Sequence, residues 1–136
     1  MGKIAIILFI LFYFPPAVVS ADLEFMLQPV MVSRDFSLLN KFVNEHAEEK
    51  GADGLISFYR SLTPGMSHKA VSLLWHKYSS SGFAGGSEID ANSKESVDYM
   101  IMKCGDSSVY LFFKDDKLYG WSKPSWVKVN GKLLKD

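Results

Sequence analysis

Apolar and polar positions first follow a helical period over residues 35–50. Apolar side chains recur there at i, i+3, i+4 and i+7, which is the spacing of one buried helix face. Ser33 or Asp35 can cap the start, and Gly51 suits the left-handed position that ends a helix. The predicted buried stripe is Phe36, Leu39, Phe42, Val43, His46 and Ala47.

A second helical stripe follows the Pro64-Gly65 turn and runs to Tyr78. Ser67 is a good N-cap, and Met66 before it can pack on Val71 as a hydrophobic staple. The stretch between the two helices, residues 55–62, fits either a short helix or a strand, and we favour a helix. The stripe of the second helix is Met66, Ala70, Val71, Leu74, Trp75 and Tyr78.

From Val97 onward the pattern changes to that of β-strands, dense in β-branched and aromatic residues. Turn residues at Gly105-Asp106 and Asp115-Asp116 separate three apolar runs, and Asn130-Gly131 suits the type I′ turn of a last hairpin. The pattern therefore predicts an antiparallel meander followed by a hairpin. The predicted strands are Val97–Cys104, Val109–Lys114, Leu118–Ser122, Trp126–Val129 and Lys132–Leu134.

Two further segments lie outside the predicted helices and the predicted meander. Residues 22–34 are apolar but contain Pro29, which predicts an extended arm or an edge strand. Residues 79–96 are rich in serine and glycine, which predicts a flexible loop. The element order predicts an α+β fold. Two or three N-terminal helices pack on one face of a three- or four-stranded antiparallel β-meander. The other face stays partly wet or open to a partner.

The N-terminus has the three-part layout of a secretory signal peptide. Lys3 precedes an apolar run, and small residues follow up to Ala21. A membrane-spanning helix needs about 20 apolar residues, and this run is shorter and is interrupted by Pro15 and Pro16. We therefore expect residues 1–21 to be cleaved, leaving residues 22–136 as one domain in the periplasm or outside the cell.

The net charge bears on the class of partner, and the cysteine content bears on how the fold is stabilised. Without Lys3, 14 basic residues face 15 acidic residues, so nothing in the net charge favours nucleic acid. The chain has one cysteine, Cys104, so it forms no internal disulfide and must be held by its core.

Two segments resemble a known family. The stretch Leu62-Thr63-Pro64-Gly65-Met66-Ser67-His68-Lys69-Ala70-Val71 resembles the helix entry of the SmpA/OmlA (BamE-like) envelope proteins. Residues 109–118, VYLFFKDDKL, look like the typical hairpin of that family. The resemblance covers about residues 60–122. It implies a small two-helix, three-stranded domain of the kind also seen in β-lactamase inhibitor proteins. It also implies a binding or assembly role in the bacterial envelope, within a membrane-associated complex.

Candidate chemistry is sparse. His68 and His76 lie eight positions apart on one helix, too far to share a metal ion, and His46 falls on or beside a helix stripe. Cys104 ends a predicted strand, where a lone cysteine is usually a small core residue. We expect no metal, no cofactor and no enzyme activity. The alternatives are a small exported hydrolase using Cys104 or a histidine, and a secreted virulence or toxin-related factor.

The aromatic residues of the C-terminal half are the better candidates for function. Tyrosine and tryptophan on a wet sheet face act as interface anchors, whereas the same residues in a core only fill it. Both interpretations stay open here. On the first, the sequence predicts a non-enzymatic protein-binding module, with partner-binding residues Tyr119, Trp121 and Trp126.

Overall fold

The computed structural model describes residues 19–25, 28–47, 54–79, 81–129 and 132–133. These residues form helices α1 (Phe36–Ala47), α2 (Leu55–Arg60) and α3 (His68–Tyr78) and a short 3₁₀ helix, Pro124–Trp126. The strands are β1 (Val19–Phe25), β2 (Gln28–Ser33), β3 (Ala84–Ile89), β4 (Ser96–Cys104), β5 (Ser107–Lys114), β6 (Lys117–Ser122), β7 (Lys128–Val129) and β8 (Lys132–Leu133).

Six strands form one antiparallel sheet in the order β1-β2-β6-β5-β4-β3, and β7 pairs with β8 separately. The sheet curls so that its first and last strands come together. Phe25 at the end of β1 forms an antiparallel bridge with Asp90, which follows β3. The Ala91 N–H donates to the Glu24 carbonyl at 2.8 Å beside that bridge. The described chain is therefore a nearly closed barrel with three short helices, and the prediction of a three- or four-stranded meander is wrong.

The missing strands lie outside the predicted meander. Residues 22–25 belong to β1 and residues 28–33 form β2, and Glu24 lies opposite Pro29, so the extended or edge-strand prediction for residues 22–34 holds in the described part. Residues 84–89 form β3, which pairs with β4 along its whole length, so the flexible loop predicted over residues 79–96 is wrong there. Backbone hydrogen bonds to β4 stabilise β3. A Cβ on Gly85 would lie 2.6 Å from the backbone carbonyl oxygen of Tyr99, so that position has no room for a side chain.

The sheet has two cores, one on each face. Helices α1–α3 cover the outer face, which carries Val109, Leu111 and Phe113 from β5. The inner face was predicted to be wet or open to a partner, but the curling of the sheet makes it the interior of the barrel. Its buried residues are Leu23, Phe25, Val30, Val32, Val97, Ile101, Tyr110, Phe112 and Val127.

The periodic segments behave as predicted. The helix predicted over residues 35–50 is α1, where the Asp35 carboxylate accepts the Ser37 N–H at 2.9 Å. The stretch 55–62 contains helix α2, and Ser67 caps α3 by accepting the Ala70 N–H at 3.0 Å. Strands β4, β5 and β6 form the predicted meander. Strands β7 and β8 pair as predicted, the predicted Asn130-Gly131 turn lies outside the described residues, and Trp126 belongs to the 3₁₀ helix rather than to a strand.

The N-terminal predictions fall largely outside this description. Residues 1–18 of the predicted signal peptide and Gly51 are not among the described residues, and residues 19–21 begin β1. A cut after Ala21 would leave residues 22–25 paired with residues 28–31. Among the described helices, none has the length and apolar character needed to cross a membrane.

Candidate partner-binding site

The candidate site is built around Tyr119, which is the extra residue of a β-bulge in β6. Phe112 pairs with Gly120 and Phe113 pairs with Leu118, so Tyr119 has no opposite residue on β5. A bulge bends its strand and turns the extra side chain out of the regular alternation. The Tyr119 ring is half-buried and packs against the residues of the barrel interior.

Two cations lie against the Tyr119 ring. The Arg34 guanidinium carbon is 4.5 Å from the ring centroid, and the Lys114 ammonium nitrogen is 4.4 Å from it. Both distances lie within the range of about 6 Å in which a cation is attracted to an aromatic face. Arg34 follows β2 and Lys114 ends β5, so the ring joins two strands that are distant in the sequence.

Lys114 is held in place from its other side by carboxylates. Its ammonium nitrogen lies 3.5 Å from Glu95 and 3.9 Å from Asp90, and its side chain is 20% exposed. The Asp90 carboxylate accepts the Glu24 N–H at 3.2 Å and the Ser93 hydroxyl at 2.8 Å. Burial of Asp90 raises its pKa, but these hydrogen bonds and Lys114 outweigh burial, and the pKa of Asp90 is lowered. Asp90 thus stays ionised at neutral pH beside the ammonium.

The loop before α3 forms the opposite wall of the site. The Gly65 N–H donates to the Leu118 carbonyl at 2.9 Å, and the Leu118 N–H donates to the Met66 carbonyl at 2.7 Å. The Asp116 carboxylate accepts the His68 N–H at 3.0 Å, at the start of α3. These bonds hold residues 62–71 against the β5–β6 hairpin, so the two segments with the family resemblance contact each other.

Between these walls lies an open cavity of about 370 Å³. Among the described residues, each charged residue in its lining is basic, and none of their carboxylates lines it. Lys117 and Arg34 are exposed, and neither forms an ion pair with another described residue. The cavity therefore combines an aromatic floor with a positive rim. Its lining is Arg34, Pro64, Gly65, Lys114, Lys117, Leu118 and Tyr119.

The structure separates the three predicted partner-binding residues. Tyr119 lines the cavity. Trp121 is 2% exposed, and its indole N–H donates to the Asp35 carbonyl at 2.9 Å, so it packs under α1. Trp126 is half-buried on the 3₁₀ helix, 5.7 Å from the Trp121 ring and 4.8 Å from the Lys123 ammonium. Only Tyr119 and Trp126 therefore offer their rings to solvent.

Three lining residues, Arg34, Lys114 and Lys117, were not among the predicted site residues. The two lysines flank the Asp115-Asp116 turn, where they count among the C-terminal basic residues of the sequence. Nothing in the sequence around Arg34 indicates that it belongs to the site. Its proximity to Tyr119 depends on the pairing of β2 with β6 at Ser33 and Trp121.

Cys104 and two of the histidines of the hydrolase alternative pack against apolar or aromatic side chains. Cys104 is fully buried in the core beneath the helices. The His68 ring packs 5.0 Å from Phe113, and the His46 ring packs 4.4 Å from Phe42. Over the described ranges, no three His, Cys, Asp or Glu side chains are grouped so that they could hold a metal ion.

Comparison of the chain with family models, with curated proteins and with solved structures finds no match in any of the three.

Proposed function

We propose that this chain is an exported, non-enzymatic protein-binding module that docks a partner through the cavity around Tyr119. The observation that carries the proposal is the bulged Tyr119 ring held between Arg34 and Lys114 on the floor of an open cavity. Tyrosine and arginine are enriched among the residues that dominate binding energy at protein interfaces. A ring that is already ordered loses little conformational freedom when a partner binds.

Two further features support the proposal. The SmpA/OmlA resemblance implies an assembly or inhibitor-like role in the envelope, and the two segments that carry it form the wall of this cavity. The signal-peptide layout of residues 1–21 supports export. Mass measurement of the exported protein is expected to place its first residue at Asp22. A mature chain that still begins at Met1 would contradict export.

Site-directed photocrosslinking in cells tests the binding surface. A photoreactive amino acid at Lys117, which lines the cavity, is compared with the same residue at Lys77, which is exposed on α3 and lies outside the cavity lining. The expected result is one discrete adduct from position 117, none of that mass from position 77, and loss of the adduct in a Tyr119→Ala background.

Two results would contradict the proposal. The first is the same adduct pattern from both positions, which would indicate random contacts. The second is an adduct at position 117 that persists in Tyr119→Ala although this variant keeps its melting temperature.

A further inference from the structure

We infer that the cavity around Tyr119 recognises the carboxylate side chains of an acidic segment in the partner protein. This inference rests on the proposed function and names the chemistry of its partner. The charged side chains that line the cavity are all basic: Arg34, Lys114 and Lys117.

The cavity is suited to an anion rather than to a cation. An exposed aromatic ring in a pocket usually attracts cationic groups. Here two cations of the protein itself already lie within 4.5 Å of the Tyr119 centroid. A lysine or a methylated amine from a partner would meet their repulsion. An incoming carboxylate would instead find positive charge next to a polarisable surface.

The three cations have different roles. Lys114 lies near Asp90 and Glu95, so much of its charge is already balanced. Arg34 and Lys117 have no ion pair with a described residue and are exposed, so they are the groups open to a new anion. Arg34 is the better donor for a carboxylate, because its planar guanidinium forms two parallel N–H···O bonds. Its position against Tyr119 holds it ready for that contact.

The size of the cavity favours a peptide segment over a small ion. Its volume of about 370 Å³ is larger than one carboxylate needs. The apolar surfaces of Pro64 and Leu118 line the remaining space. Asp115 and Asp116 lie at the tip of the β5–β6 hairpin and do not line the cavity, and Asp116 accepts the His68 N–H. Their charge opposes an approach of the acidic segment over that tip.

Titration of the full exported chain with defined peptides tests the inference. The probes are acetyl-hexaglutamate amide, the matching hexaglutamine and hexalysine peptides, and inorganic phosphate, each followed by amide NMR shifts at about 0.15 M salt, where charges more than about 8 Å apart are largely screened. We expect hexaglutamate to move the amides of residues 114–119 and to bind most tightly of the four. Arg34→Glu should weaken its binding about tenfold or more, since a hydrogen bond to a charged group contributes about 1.5–3 kcal/mol. Lys77→Glu makes the same charge change outside the cavity and should alter binding less than about twofold.

The other possible results of the titration each contradict one claim about the cavity or its partner. Equal binding of hexaglutamine shows that carboxylates are not recognised, and equal binding of phosphate shows a general anion site. Equal weakening by Arg34→Glu and Lys77→Glu shows unspecific attraction. If Arg34→Glu lowers the melting temperature, Lys117→Glu takes its place, since it makes the same charge change as the Lys77→Glu control, and it should also weaken hexaglutamate binding more than that control does. A Tyr119-dependent crosslink together with failure of hexaglutamate overturns only the carboxylate inference. Hexaglutamate binding without that crosslink overturns only the proposed partner docking.

Discussion

Removal of the Asp90 carboxylate is the perturbation that most directly tests how the barrel is closed and how the site is held. Asp90 is 3% exposed and lies where the chain leaves β3 and meets β1. Its carboxylate accepts hydrogen bonds from the Glu24 N–H, the Asn92 N–H and the Ser93 hydroxyl, and it faces Lys114. One side chain therefore joins β1, the turn after β3, and the end of β5.

The expected loss of stability depends on which of these donors can form a hydrogen bond to water once Asp90 is replaced. Asn92 and Ser93 are exposed, so their donors can bind solvent once Asp90 is replaced. Glu24 and Lys114 are partly buried, so their donors can form fewer hydrogen bonds to water. At about 1.5–3 kcal/mol for each hydrogen bond to a charged group, Asp90→Ala is expected to lower the free energy of unfolding by about 2–4 kcal/mol. For a domain of this size that corresponds to a melting temperature lower by roughly 10 °C or more. Asp90→Asn keeps one acceptor oxygen and should cost about half as much.

The same residue predicts an acid dependence. The pKa of Asp90 is lowered in the folded protein, because its hydrogen bonds and Lys114 outweigh burial. The carboxylate therefore stabilises the fold above its unfolded pKa of about 3.9. That contribution is lost as the pH falls through the lower folded pKa. The difference in melting temperature between the wild type and Asp90→Asn should be largest near neutral pH and should narrow below about pH 4.

Thermal melts of the wild type, both variants and a control at several pH values decide the matter. The control is Asp98→Asn, which removes a surface carboxylate that accepts the Ser87 hydroxyl at 2.6 Å. It should change the free energy of unfolding by less than about 0.5 kcal/mol. The reasoning is refuted if Asp90→Ala melts like the wild type at neutral pH. If the difference in melting temperature between the wild type and Asp90→Asn stays constant down to pH 2, the ionised form of Asp90 does not contribute the predicted stability.

Four further variants test the fold, each by its melting temperature. Ser67→Ala removes the cap of α3 and should lower stability by about 1 kcal/mol, and an unchanged melt would mean that the cap contributes nothing. Gly120→Ala places a Cβ against Val32 Cγ1 and 2.6 Å from the Ser33 carbonyl oxygen, so it should cost about 1–3 kcal/mol, and an unchanged melting temperature would contradict this crowding. Trp121→Ala should cost about 3–5 kcal/mol and Trp126→Ala clearly less, and equal losses would contradict their different burial.

Local pattern was sufficient where an element buries one face against the rest of the chain. The helical stripe from Phe36 to Val43 lies over the sheet, and in β5 Leu111 faces the helices while Phe112 faces the barrel interior. Pattern failed at β3, whose residues are mostly exposed. An edge strand of this kind owes its conformation to backbone bonds with its neighbour, and those bonds leave no mark in side-chain hydrophobicity.

The candidate site was predicted only in part for a related reason. Tyr119 was found because a tyrosine in a strand suggests an interface anchor, but Trp121 matches the same description and lies in the core. The bulge between Phe112 and Phe113 is what separates their environments, since it shifts the alternation at Tyr119. A single inserted position of this kind cannot be distinguished from regular alternation by composition.

The amino-acid sequence by itself determined the two amphipathic helices, the cap at Ser67 and the three strands of the meander, because each depends on neighbours within a few residues. Only the tertiary structure decided that the sheet has six strands and closes on itself at Phe25 and Asp90. It also decided that Arg34 reaches the Tyr119 ring. These features join segments far apart in the chain, where the free energy comes from backbone pairing and shared burial rather than from any periodicity along the sequence.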